Sequence, residues 1–138
     1  NFDKKTVLDF GCGSGILSIA TQKMRASEVW SIDTDEFAII SSKENLKRSN
    51  LNVENLIEGS IENLDNKLKF DVILANISSN IIMKYSNEMK RKLNQNGILI
   101  ASGILSKNIE ETLEKLQKAG FKLLSQTVEE EWECLVLN

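Results

Sequence analysis

The stretch Val7-Leu8-Asp9-Phe10-Gly11-Cys12-Gly13-Ser14-Gly15, which runs directly into Ile16-Leu17-Ser18-Ile19-Ala20, decides the fold. It reads as a buried strand, a glycine-rich turn and the start of a helix, with a carboxylate just ahead of the turn. Glycine reaches positive φ without strain and lets backbone approach a ligand with no Cβ in between. The alternating Gly11, Gly13 and Gly15 therefore predict a cofactor lying against main chain.

The spacing narrows the choice of cofactor. A nicotinamide or flavin dinucleotide calls for G-x-G-x-x-G, whose third small residue lets the helix pack closely while its N-terminus faces the pyrophosphate. Counted from Gly11 that third position is Ile16; counted from Gly13 it is Ser18, small but well inside the helix. Neither register fits. Asp9 would be unfavourable beside a pyrophosphate and favourable beside an ammonium group. The pattern D-x-G-x-G-x-G thus suits a ligand with a cationic end and no phosphate. S-adenosylmethionine is such a molecule, carrying an ammonium, a sulfonium, a ribose and an adenine.

A second acid supports this. The run Val29-Trp30-Ser31-Ile32 ends in Asp33, about twenty residues beyond the glycines, where nucleotide folds place a carboxylate on vicinal ribose hydroxyls. Asp also favours helix N-caps, and both readings hold together if Asp33 takes the ribose and Asp35 or Thr34 the cap.

Composition sets limits. A chain of 138 residues is one domain with a proper core, and a net charge of −3 argues against a basic nucleic-acid surface. Neither a signal peptide nor a bilayer-length apolar run is present, so a cytoplasmic protein with no membrane or direct nucleic-acid partner is expected. Cys12 and Cys134 form neither a disulfide framework nor a metal spacing, and histidine is absent. No metal is expected, and no imidazole base. Cys12 reads as a small turn residue without a basic neighbour to activate it, Lys90-Arg91-Lys92 as cations at a helix end, and Glu129-Glu130-Glu131 as a solvated turn.

Strand and helix patterns alternate along the chain. Strands are predicted over 6–10, 29–33, 55–58, 70–75 and 98–102, the fourth nearly continuously apolar as in a sheet covered on both faces. Helices are predicted over 16–24, 36–48, 80–93 and 107–119, the last ending at Gly120 as a C′ residue. Asn96-Gly97 reads as a turn. Segments 121–128 and 132–137 read as strands whose short acidic link permits a hairpin but no parallel crossover. Trp132, Cys134 and Val136 are assigned to the core. The expected architecture is α/β: a mostly parallel, Rossmann-like sheet with helices on both faces, closed by a C-terminal antiparallel hairpin.

In glycine motif and strand order the chain resembles the class I S-adenosylmethionine-dependent methyltransferases, and more closely the PrmA family of ribosomal-protein methyltransferases. The resemblance rests on Val7 through Leu17, Ile32-Asp33-Thr34-Asp35, Ala75-Asn76-Ile77, Ser102-Gly103-Ile104-Leu105, Ala119-Gly120-Phe121 and Glu131-Trp132. It implies that the glycine turn, Gly11 foremost, lies against the cofactor's methionine part, that Asp33 binds the ribose, that Ser60 or Ile61 borders the adenine, and that Asn76 faces the cofactor and the incoming amine. Ser60 stands where class I enzymes often have an acid, and Ser78-Ser79 where the family has an apolar residue and alanine. The implied activity is methyl transfer to amino groups, a lysine side chain or N-terminal amine, of a large-subunit ribosomal protein. Since the chain starts at Asn1 almost on the first strand, a catalytic-domain fragment over 1–138, lacking an N-terminal substrate-recognition domain, is expected.

Asn76 also has a physical rationale. Methyl transfer is an in-line displacement, so the acceptor nitrogen must arrive with its lone pair aligned opposite the leaving sulfur. An amide oxygen or backbone carbonyl can accept the amine's N–H groups and fix that direction. The alternative is a polar residue ending a strand at a turn. Other readings are a methyltransferase for a small molecule, RNA or another protein, a nicotinamide oxidoreductase, or a folded chain that binds cofactor weakly or not at all.

Overall fold

Strands with apolar residues on both faces need cover on both, and the chain provides it by alternating strand and helix. A computed structural model describes residues 1–138. In chain order the elements are β1 (Thr6–Phe10), α1 (Ile16–Lys23), β2 (Glu28–Asp33), α2 (Glu36–Arg48), β3 (Leu56–Glu58), β4 (Phe70–Asn76), α3 (Ser79–Lys84), α4 (Ser86–Lys92), β5 (Leu93–Leu105), α5 (Ile109–Lys118), β6 (Leu123–Glu129) and β7 (Trp132–Leu137). Two 3₁₀ turns, Ile61–Asn63 and Ser106–Asn108, complete the list.

The seven strands form one sheet in the order β3-β2-β1-β4-β5-β7-β6. β1 through β5 pair in parallel, and β7 joins antiparallel to both β5 and β6. The strand order reverses between β1 and β4, and in open α/β sheets ligands bind in the crevice at the strand C-termini there. The glycine turn follows β1 and Asn76 ends β4, so both stand at strand C-termini beside that point.

The main core lies on the face carrying Leu8, Phe10, Ile73 and Ala75, joined by Ile82, Met89 and Leu116 from the helices and by Leu135 and Leu137 from β7. The other face has a smaller cluster of Val7, Val72 and Leu74 with Leu17 packed on it. Helix ends follow local chemistry. Asp35 caps α2 by accepting from the Phe37 N–H at 2.9 Å. Gly120, at φ +95°, ends α5 with its N–H on Gln117 O, while the Phe121 N–H reaches Leu116 O, a Schellman closure.

Four expectations need correction. The helix predicted over 80–93 is broken at Tyr85, where Ser86 Oγ donates back to Met83 O at 3.0 Å, a bond that competes with the helical ladder, and Leu93 has already joined β5. The strand predicted over 98–102 spans Leu93–Leu105, with Asn96-Gly97 inside a bulge: Phe70 pairs with Leu93 but Val72 with Ile98. The link between β6 and β7 is two residues, since Glu129 pairs with Trp132. Finally, β7 presents the opposite face to the core. Glu133, Leu135 and Leu137 are buried, whereas Trp132 is 48% exposed. Both faces of W-E-C-L-V-L carry apolar residues, so alternation alone does not choose between them. Glu133 tolerates burial because the Gln126 amide donates to it at 2.6 Å.

The register predicts contrasting mutants. Ile73→Ala, in the fully buried centre of β4, should lower unfolding free energy by about 2–5 kcal/mol. Leu124→Ala on exposed β6 should change it by less than about 0.5 kcal/mol. Urea titration of both reads this, and equal losses would contradict the placement of the core.

Candidate active site

The glycine turn is held from β2. The Asp33 carboxylate accepts the Gly13 N–H on Oδ2 at 2.9 Å and the Asp35 N–H on Oδ1 at 3.0 Å. Both oxygens are fixed in direction, and each keeps a free lone pair. The backbone of Gly11 and Cys12 is tied to the same strand end, both N–H groups donating to Ile32 O.

The three glycines have different reasons. Gly11, at φ +76°, has no room for a Cβ because the Ile77 side chain occupies that space. Gly13, at φ +53°, faces open space with nothing within 4 Å, which is the bare backbone expected of a ligand cradle. Gly15, at φ +81°, is a packing glycine: an added Cβ would stand 2.9 Å from Ser42 Oγ and 3.2 Å from Ser42 Cα on α2.

Asp9 sits behind the turn. It is 1% exposed, and its Oδ2 accepts both the Ser18 N–H at 3.0 Å and the Ser18 hydroxyl at 2.5 Å. Ser18 Oγ lies in turn 2.6 Å from Ser31 Oγ. Burial pushes the Asp9 pKa up to about 6, against the pull of the Ser18 hydrogen bonds and with the charge of Asp33 adding to the rise. A cation arriving near the turn would relieve that penalty. Cys12 is buried, 3.4 Å from Ser42 Oγ, and burial above all pushes its thiol up to about 11. The thiol is no nucleophile, in line with its reading as a turn residue.

A cavity of about 350 Å³ opens at the switch point, lined by Phe10, Gly11, Asp33, Thr34, Gly59, Ser60, Ile77, Ile81, Lys84 and Tyr85. Of the predicted site residues, Gly11, Asp33 and Ser60 meet there. Gly13 joins them through its bond to Asp33, while Asp9 and Gly15 lie behind the lining. Ser60 is nine-tenths buried, and its hydroxyl faces the Tyr85 side chain and the Asn63 N–H without a hydrogen bond of good geometry to either. A buried hydroxyl with only poorly aligned neighbours gains from a group that completes its hydrogen bonding. The turn that carries it is clamped at one end by Asn63 Oδ1 on the Ser60 N–H, 2.7 Å. The buried Lys92 ammonium holds the chain just beyond, donating to Leu64 O at 3.0 Å and Asp65 O at 2.6 Å. Lys92 therefore turns inward instead of simply facing solvent at a helix end.

Sequence reading missed the helical wall of this cavity, Ile81, Lys84 and Tyr85. Tyr85 stacks edge-on against Phe10, centroids 5.6 Å apart, and the Lys84 ammonium lies 4.7 Å from its ring centre. The neighbouring Ser60 and Lys84 side chains lower the Tyr85 pKa. Helical spacing after a strand that ends at the switch point was a partial signal: positions 81 and 84 are one turn apart on α3, whereas Tyr85 sits at the break between α3 and α4.

Asn76, at the exposed end of β4, opens away from this cavity onto a second one shared with Gly103, Glu129, Glu130 and Trp132. Gly103, at φ +75°, also went unread as a site residue. A Cβ there would stand 2.8 Å from Asn76 Oδ1, so the glycine gives the amide its space.

Comparison with known proteins gives one consistent result. Residues 2–138 match the family model described as ribosomal protein L11 methyltransferase (PrmA). The ribosomal protein L11 methyltransferase of Acetivibrio thermocellus is 37% identical over 132 residues, 96% of this chain and 42% of that protein. That of Fusobacterium nucleatum is 36% identical over 138 residues, 98% of this chain and 44% of that protein. The crystal structure of a ribosomal protein L11 methylase from Lactobacillus delbrueckii superposes with a TM-score of 0.94 at 28% identity, covering 99% of this chain and 70% of that one. The chain thus spans about two fifths of the curated relatives' length.

The raised Asp9 pKa makes stability depend on pH in a defined direction. An unfolded Asp ionises near its ordinary value of 3.8, whereas folded Asp9 holds its proton to about 6. Stability is therefore lost as pH rises between those values. Asp9→Asn, which keeps an acceptor for Ser18, should gain roughly 2–3 kcal/mol relative to the native chain between pH 4 and pH 7. Urea titrations at both pH values measure this, and a pH-independent difference would contradict it.

Proposed function

Because the chain belongs to the ribosomal protein L11 methyltransferase family, we propose that residues 1–138 form a domain that binds S-adenosylmethionine and transfers its methyl group to an amine of ribosomal protein L11. One observation carries the reading: the buried Ser60 hydroxyl, the pinned Asp33 carboxylate and the Gly11 backbone converge on one crevice at the topological switch point, with the open Gly13 backbone bonded to Asp33. These are the groups required by a base edge, a vicinal diol and an amino-acid chain.

S-adenosylmethionine supplies an electrophilic methyl group on a positively charged sulfur. The protein's part is binding and direction. Asp33 offers its remaining lone pairs to the two ribose hydroxyls, in an orientation already fixed by Gly13 and Asp35. Ser60 meets the adenine edge, with Ile61 behind it. Gly11 and Gly13 lie along the methionine part, and Asp9 supplies negative charge behind the turn, where it favours the ammonium and disfavours a pyrophosphate. Gly15 keeps α1 close to α2, so that the turn holds its shape. Asn76, through its amide oxygen or its backbone carbonyl, accepts N–H bonds from the incoming amine and turns the nitrogen lone pair toward the methyl group. Alignment of this kind is the main catalytic device, with no strong acid or base required.

Calorimetry should detect S-adenosylmethionine binding and no NAD binding, and Asp33→Ala should weaken the former by about ten- to a hundredfold. NAD binding without S-adenosylmethionine binding would instead support an oxidoreductase. With labelled cofactor and ribosomal protein L11, Asn76→Ala should lower kcat by at least about tenfold while cofactor Kd stays within about twofold. An unchanged kcat would remove Asn76 from the mechanism.

A further inference from the structure

We propose that the cavity between the Ile61–Asn63 turn, the loop ahead of β4 and the C-terminal end of α4 binds a phosphate dianion, as free orthophosphate or on a small phosphate monoester. The cavity holds about 520 Å³, and Ile61 is the one apolar residue of its wall. None of the residues lining it also lines the crevice assigned to the cofactor. The site is therefore additional to the one that serves methyl transfer and does not rest on that reading.

Three cations meet in this wall, and they are unequally matched. Arg91 pairs with Glu88. Lys69 donates to the backbone oxygen of Arg91, and Lys92 donates to Leu64 O at 3.0 Å and Asp65 O at 2.6 Å. Neither ammonium takes part in any of the three ion pairs of the chain. Lys92 is 6% exposed. Carbonyl oxygens supply hydrogen bonds to a buried ammonium but no full counter-charge, so its charge stays unbalanced. One N–H of Lys69 and two of Lys92 are engaged, and the rest are available to a ligand.

The crowding of like charge is felt at Lys92. Burial lowers its pKa first, and the charges of Lys69 and Arg91 lower it further, against an upward pull from Asp65. The Asp65 carboxylate does not close that gap, since it accepts the Lys67 N–H at 2.8 Å and forms no ion pair. Two ammonium groups without a carboxylate partner, facing one concave polar surface, match a doubly negative group whose several oxygens accept from both. Asn66 adds an amide donor to the wall, and the volume leaves space for a small polar group attached to the phosphate. Glu62, an exposed carboxylate of the same wall, opposes an anion, so its removal should strengthen binding.

An NMR titration of the chain at constant ionic strength, balanced with sodium chloride, tests the proposal at about pH 8, where phosphate groups are doubly charged. Inorganic phosphate should shift the backbone amides of Asn66, Lys69 and Arg91 saturably, and glycerol 3-phosphate should do the same. Whichever of these two binds more tightly names the source of the dianion. Dimethyl phosphate, a monoanion like the nucleic-acid backbone, and acetate should each bind at least about fivefold more weakly than inorganic phosphate. Lys69→Gln should weaken its Kd about three- to tenfold and Glu62→Gln should tighten it about twofold. Lys115→Gln, the same loss of charge on α5, should leave it within about twofold. Shifts that do not saturate, or equal weakening by Lys69→Gln and Lys115→Gln, would overturn the site. Dimethyl phosphate or acetate binding as tightly as inorganic phosphate would overturn the assignment to a dianion. The three substituted side chains are solvent-exposed, and the variants leave Lys92 and the loop it holds in place.

Discussion

The site depends on a carboxylate that crosses from one strand end to the next turn. Asp33 takes the Gly13 N–H on one oxygen and the Asp35 N–H on the other, which joins the end of β2, the glycine turn and the cap region of α2 into one unit. A turn with three glycines at positive φ has an unusually large conformational entropy to lose. The Asp33 bond, the two N–H groups on Ile32 O and the contact of Gly15 with Ser42 are what hold it in one shape. Behind it, Asp9 binds the start of α1 through Ser18 while remaining buried at a cost that the Ser18 hydrogen bonds offset in part and a nearby positive charge would offset further. The same turn is thus shaped by one acid and electrically biased by another.

The parts of the fold written in short-range chemistry were legible in the sequence. The strand, glycine turn and helix at residues 6–23, the Asp35 cap, the Gly120 stop and the terminal hairpin each follow from local backbone preferences, and all are present. The parts set by tertiary contact were not. No local signal says which face of β7 is inward when a glutamate on one face is satisfied by a glutamine seven residues away. Nor does helical periodicity reveal that the segment after Asn76 breaks at Tyr85. The candidate site divides the same way. Gly11 and Asp33 were readable from motif and spacing, Ser60 only as one of two positions implied by the family resemblance, and the three come together, whereas the Tyr85 wall, the inward Lys92 and the space that Gly103 leaves for Asn76 depend on elements far apart in sequence. The glycines show why a motif is not yet a mechanism: of three in one pattern, one faces open space and two are required by neighbouring side chains.

The sheet places two concave surfaces at the switch point, one beside the glycine turn and one beyond Asn76. They differ in kind. The first combines a buried hydroxyl, a fixed carboxylate and apolar walls, as a nucleoside requires. The second is open and lined by Asn76, Gly103, Trp132 and the carboxylates of the hairpin tip. Asn76 lines one and Ile77 the other, so a one-residue step at the end of β4 separates the two surfaces.

The most direct test of the central claim is to locate the bound nucleoside on the backbone. Amide resonances of this chain, followed during titration with S-adenosylhomocysteine, should show their largest shifts at Gly11, Gly13, Thr34, Ser60 and Ile61, with the Gly13 amide retaining the downfield position of a proton bound to carboxylate. Shifts confined to another part of the sheet, with Gly13 and Ser60 unmoved at saturation, would contradict the account.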